Sequence, residues 1–455
     1  MYTWTFLLLT FGTLCINCQR SKSQRNCPSF DGRSQLRPHN RDMLMDIEYK
    51  QWDYENRKVP NNGGQCQAQI SCSSQRKYRT ADGSCNNLIN TRWGKAMECV
   101  NRLEKPVYAD GSKAPKVAKS GRALPNPRTI SNTQHSHVNS FSHITHMLMQ
   151  WGQFLDHDIT FTPTAQVREG VMDCCTQSSP ECFQITIPNN DPFYSRFNRR
   201  CMTFVRSAPC LTCNMYREQI NALTAFIDAS NVYGSMDNET TALRLRDGTG
   251  MLRSQNNGLL LPQTADPEND QCSNRTQNLI CFAAGDSRVN VLPSLTALHT
   301  LFMRQHNRIC YFLKQINRNW NEETLFQEAR IPFRGNPQQY LLRDNFFNPN
   351  PLYAADIDNI VRGIIGVSSQ RFDPFVTDDV RNHLYRLTEN QFGNDLVAFN
   401  LQRGRDHAIP GYTVYIYGCH QIRITQFRDL ERFMPREQAD RSSSSSKYLF
   451  QIIIT

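Results

Sequence analysis

Trp151-Gly-Gln-Phe-Leu-Asp-His-Asp158 (WGQFLDHD) closes the most strongly periodic segment of the chain. Val138, Phe141, Ile144, Met147, Leu148, Trp151 and Leu155 recur every three to four residues before it. That spacing predicts an amphipathic helix from His137 to Asp158. A helix this apolar up to Leu155 keeps its end near the core, so Asp156, His157 and Asp158 need partners there. Neighbouring helix positions diverge by about 100°, so the three side chains cannot share one task. His157 suits proton transfer, and the aspartates suit a metal or covalent role.

Working outward, residues 218–231 predict a second helix, with Ile220, Leu223, Phe226 and Ile227 on one face. Leu295–Leu313 predicts a third, and 357–366 and 378–387 also read as helical. The expected fold is mainly α with short strands possible, and the length allows one large domain or two to three ordinary ones. Thr224, Phe226, Asp228 and Ser230 would join Asp158 in offering hydroxyl, carbonyl and carboxylate oxygens, the ligands Ca2+ takes. From these residues alone, an ordinary helix end at Ser230-Asn231 before Gly234 is favoured over a metal loop. His135, His137, His143 and His146 cluster ahead of the first helix, as a transition-metal site or as a solvated helix start.

The chain has 455 residues, 51 Lys+Arg against 41 Asp+Glu, and 39% hydrophobic residues. These values exclude a disordered chain and a polytopic membrane protein. The net charge of +10 is scattered without a long basic run, so no nucleic-acid partner is expected. Seventeen cysteines point to an oxidising compartment. Residues 1–18 read as a signal peptide, although no Lys or Arg precedes the apolar run, and a secreted location follows. Removing Cys15 and Cys18 leaves fifteen cysteines, an odd number that permits an intermolecular bridge. Asn238 and Asn274 head glycosylation triplets. Residues 19–65 form a polar lead, 66–436 the folded domain, and 437–455 a serine-rich tail too short to span a membrane.

Five blocks then carry a resemblance. WGQFLDHD, LTAFIDASNVYGS, CFAAGDSRVN, LHTLFMRQHNRIC and AFNLQRGRDHAIPGY resemble, in order, those of the animal haem peroxidases, from about Cys72 to about Arg436. The resemblance implies a single large, disulfide-bonded helical domain that is incomplete here, with haem b and Ca2+ as cofactors. It implies hydrogen peroxide as oxidant, with phenols, protein tyrosines or halides as reductants. His157 corresponds to the distal acid–base histidine, Arg288 to the distal arginine and Gln153 to the distal glutamine. Asp156 corresponds to a haem-ester aspartate. Asp158, Thr224, the Phe226 carbonyl, Asp228 and Ser230 correspond to the calcium ligands. Asn400 corresponds to the partner of the proximal histidine, and Arg403 to a haem-propionate contact. The same likeness pairs Cys72 with Cys85 and Cys272 with Cys281. It sorts Cys174, Cys175, Cys182 and Cys201 into two bridges, 174–182 and 175–201. Cys419 corresponds to a cysteine whose usual partner lies further along the family's chain.

Three departures stand out. Val291 replaces the glutamate of a second haem ester, and Leu292 replaces a sulfonium-forming methionine, so at most one ester is expected. More consequentially, Phe326-Gln-Glu-Ala-Arg330 runs straight into Ile331, and no His lies between His306 and His383. The family's proximal histidine and its helix are expected to be deleted near 330–331. His299, His306 and His407 are expected to be structural. Three readings follow: a secreted peroxidase in an incomplete form, a non-catalytic calcium-binding interaction protein that keeps the distal scaffold, and a chain that does not fold stably.

Overall fold

The structure is a computed structural model. It describes residues 70–440 apart from 74–75, 101, 166–171, 211–215, 268–271, 273–279, 331–345, 355–356, 372, 387–390, 435 and 437–438. The signal segment, the polar lead, the residues immediately after Arg330, the Asn274 triplet and nearly all of the tail lie outside the described residues.

Helices dominate, as expected. In chain order they are α1 (Pro127–Gln134), α2 (His146–Ile159), α3 (Ser230–Tyr233), α4 (Asp237–Leu243), α5 (Pro293–Ile316), α6 (Glu322–Glu328), α7 (Asn350–Tyr353), α8 (Ile357–Gly366), α9 (Asp378–Arg381), α10 (Leu396–Asp406) and α11 (Tyr412–His420). The longest, α5, starts on Pro293, where a missing N–H costs nothing. It buries Leu295, Leu298, Met303 and Cys310 along one stripe. The α8 helix buries Ile357, Ile360, Val361 and Ile364 and packs on both α5 and α2. These elements form the main core with Phe154, Val232, Tyr233 and Phe326. Among the described residues, no helix is long and apolar enough to cross a membrane.

Three predicted helices differ. The first begins only at His146, because residues 142–146 pair with 367–369: Ser142 N–H donates to Ser369 O, His146 N–H to Val367 O, and Ser369 N–H to Ile144 O. Phe141 and Ile144 are exposed, and His143 lies ahead of the helix. The second, over 218–231, is a strand followed by a loop. Strand β5 (Glu218–Asn221) sits between β1 (Glu98–Cys99) and β4 (Pro209–Cys210), antiparallel to both. Cys99–Cys210 ties the outer strands together across β5. Ile220 and Leu223 are buried as expected, but Ile227 faces solvent. The third, over 378–387, stops at Arg381. The backbones of Asn382 and Leu384 bond those of Gly393 and Asn394 instead of continuing the helix.

A second hairpin, β2 (Ile185–Thr186) with β3 (Cys201–Met202), carries a smaller core of Phe193, Tyr194 and Phe204. The Cys72–Cys85, Cys174–Cys182, Cys175–Cys201 and Cys272–Cys281 bridges are formed as the family likeness implied.

Candidate active site and cation loop

The site grows from the C-terminal end of α2. Gln153, His157 and Asp158 are buried there, and Asp156 is half-buried. Gln153 lies one turn before His157 and accepts a hydrogen bond from Gln150 Nε2 at 3.1 Å. His157 is 1% exposed, and its Nδ1 has no hydrogen-bond partner. Burial, reinforced by the Arg288 charge, holds the imidazole well below its usual range. The ring is therefore neutral at physiological pH and unclaimed at Nδ1. Burial also raises the Asp156 carboxyl, with Arg288 opposing.

Arg288 is delivered by the CFAAGDSRVN block. The turn Ser287–Asn290 starts with Asp286, whose Oδ1 accepts from the Arg288 backbone N–H at 2.8 Å and from its Nε at 2.9 Å. Asp286 Oδ2 accepts from Nη2 at 2.7 Å, completing a two-pronged ion pair. Nη2 also reaches the Thr160 carbonyl at 3.1 Å and the His157 carbonyl at 3.4 Å. The guanidinium is thus fixed against the end of α2 and over the Phe161 ring. Burial would raise the fully buried Asp286, but Arg288 outweighs it and the carboxyl stays below its ordinary value.

Asp158 and the 224–230 loop meet behind His157. Ala229 N–H donates to Asp158 Oδ2 at 3.0 Å, and Ser230 Oγ to Asp158 Oδ1 at 3.2 Å. Asp228 Oδ1 accepts from Thr224 Oγ1 at 2.9 Å and from Ser230 N–H at 3.1 Å. Burial, with Asp228's charge adding to it, pushes Asp158 up to about 6. Among the described residues, no group of three or more His, Cys, Asp or Glu is placed to hold a metal. This loop offers two carboxylates, and its remaining oxygens are hydroxyl and carbonyl. Two buried like charges in an all-oxygen setting fit a hard divalent cation.

Two close approaches lock the assembly. A Cβ on Gly285 would lie 2.2 Å from Gly234 N and Ser230 O, so only glycine lets the Arg288 turn abut α3. Gly94, at φ +79°, leaves room for the Phe226 ring, which a Cβ would meet at 2.4 Å.

The other predicted residues lie elsewhere. Asn400 and Arg403 share α10. Arg403 Nη1 is spent on the Val205 carbonyl, Ser207 Oγ and Asp406 Oδ2, at 3.0, 3.0 and 3.1 Å. His306 lies between Tyr233 Oη, Gly250 O and Cys310 Sγ, and His407 Nε2 lies 2.7 Å from Ser207 Oγ. Both rings have hydrogen-bonding partners within the fold. His135 and His137 bond Pro374 O and Asn139 Oδ1. Sequence reasoning missed Asp286, although it stands two residues before Arg288. His299 was expected to be structural. This ring is fully buried on α5, 4.9 Å edge-on to Phe154.

A helical domain with a buried imidazole at a helix end and a clamped guanidinium beside it has the peroxidase fold. Peroxidase A from Dictyostelium discoideum superposes with a TM-score of 0.66 at 21% identity, covering 83% of this chain and 85% of its own. The animal haem peroxidase family model matches residues 78–334 and 331–448, and the chain belongs to that family. It is 34% identical to the mouse peroxidasin homolog over 452 residues, 78% of this chain and 30% of the relative. It is 32% identical to mouse myeloperoxidase over 444 residues, 77% of this chain and 62% of the relative. The chain thus spans under two thirds of the length of either relative.

Proposed function

We propose that this chain is a secreted haem-dependent peroxidase that uses hydrogen peroxide to oxidise phenolic, tyrosyl or halide donors. The carrying observation is the neutral, buried His157 with an unclaimed Nδ1 beside an Arg288 already fixed by Asp286. Bound haem b would supply the iron at which peroxide is cleaved. In this chain His157 takes a proton from peroxide and returns it to the departing oxygen, which leaves as water. Arg288 supplies fixed positive charge where negative charge develops, with no reorganisation needed. Gln153 orients water or halide, and Asp156 offers one ester to the haem edge. Asp158, Thr224, the Phe226 carbonyl, Asp228 and Ser230 would hold Ca2+ beside His157. Asn400 and Arg403 would help to hold the haem, although Arg403 Nη1 already bonds Val205 O, Ser207 Oγ and Asp406 Oδ2.

The test is peroxide turnover with a phenolic donor by the haem-loaded chain. His157→Ala should lose about 10²–10⁴-fold. Unchanged turnover would remove the acid–base role.

A second reading is favoured by one specific observation. No histidine lies between His306 and His383, where the family's axial ligand is expected. The family match also falls in two pieces that meet at 331–334. The alignment with the mouse peroxidasin homolog runs over 452 positions but uses 78% of 455 residues, about 355. Roughly a hundred aligned positions thus face no residue of this chain, which supports an internal deletion. Axial ligation sets haem reactivity. A folded, calcium-binding protein that takes up no haem would be a non-catalytic interaction module.

A further inference from the structure

A cavity of about 590 Å3 lies away from the distal group, between the Tyr194–Phe197 turn and the segment Asp378–His383. Its size falls within the range of small-molecule sites. We infer that it binds a small aromatic carboxylate.

The lining supplies both halves of that chemistry. Phe193 and Phe197 line it with ring centroids 5.3 Å apart, tilted by 54°. Phe197 is 37% exposed, an apolar ring open to a partner. An aromatic ligand would contact both rings in offset or edge-on fashion.

The charge on offer is narrower than the lining first suggests. Arg128 is saturated: it pairs with Asp191 at 2.7 Å and Asp395 at 2.6 Å and also bonds the Asn382 side chain. Asp378 Oδ1 accepts from Arg381 Nη2 at 2.9 Å and from Asn382 Nδ2 at 3.0 Å. Arg196 is different. It lies over Phe193 at 5.0 Å and Phe197 at 6.0 Å. Its Nε donates to the Phe193 carbonyl, and it has no carboxylate partner among the described residues. Arg381 also lines the cavity, but its Nη1 and Nη2 are spent on Asn132 Oδ1 and Asp378 Oδ1, both at 2.9 Å, and its Nε is sealed from solvent. A ligand carboxylate therefore pairs with Arg196, while its ring lies on phenylalanine.

This inference needs neither haem nor the residues around His157, so it stands or falls apart from the peroxidase reading. The experiment is titration of the full chain with benzoate, acetate and benzyl alcohol at constant ionic strength, followed by ligand-observed NMR. Benzoate should bind at least about tenfold more tightly than either of the others. Arg196→Gln and Phe197→Ala should each weaken benzoate about tenfold. Arg196 is exposed, so its change should leave the melting temperature unchanged; Phe197 packs on Phe193 and Phe392, so its change should lower the melting temperature while the chain still unfolds cooperatively. No benzoate binding, equal binding of acetate, equal binding of benzyl alcohol, or benzoate binding unmoved by both substitutions would each overturn the proposal.

Discussion

Arg288 stands beside the buried end of α2 only because Asp286 goes with it. The carboxylate is fully buried, and three of its contacts go to the same arginine. Removing one partner of a buried pair leaves the other uncompensated, a loss of about 3–5 kcal/mol. Asp286→Ala should therefore lower unfolding free energy by that order in urea titrations, whereas an exposed aspartate such as Asp237 should tolerate the change. His157 and its neighbours were legible at this scale, because the helical period marks a buried end that carries three polar groups. Asp286 was not. Its role depends on the tight turn over 287–290, which no spacing rule reveals.

Among elements, α5 and α8 were readable to within a few residues, since each pairs a long apolar stripe with clear ends. The segment 218–231 was not. Its apolar spacing fits a helix, but β1 and β4 claim its backbone, and Cys99–Cys210 joins residues 111 apart in sequence. Long-range pairing overrides local preference there. Gly285 carries an element-scale prediction, because it sets how closely the Arg288 turn meets α3. Gly285→Ala should cost about 1–3 kcal/mol in denaturant unfolding, since two backbones must separate. A second prediction concerns Arg128, which joins α1 to Asp191 and to Asp395, the N-cap of α10. Burial would raise Asp191, but the Arg128 bonds and charge and the Tyr194 and Phe193 amides outweigh it and hold the carboxyl at about 2. A lowered carboxyl stabilises the fold above its unfolded value of about 3.9, and that contribution fades as pH falls toward 2. Melting temperature should drop between pH 4 and 2, and Arg128→Gln should flatten that part of the slope.

For the molecule as a whole, the family is visible in sequence because its blocks are local, while the proposed deletion near residue 330 rests on a histidine that the sequence from 307 to 382 does not contain. The cation loop links the two descriptions: it spans Asp158 on α2 and 224–230 next to α3, so an ion there would brace the core behind His157. Free calcium at a hundredfold excess over its Kd should stabilise the fold by about 2.7 kcal/mol, and a chelator should remove that gain. Asp158→Asn should abolish the calcium response in thermal melts. The most direct measurement is titration of the purified full chain with haem, followed in the Soret region before and after peroxide. The account predicts a strong band that shifts with peroxide in the natural chain and fails to shift in His157→Ala. A folded chain that responds to calcium yet gives no Soret band would contradict it.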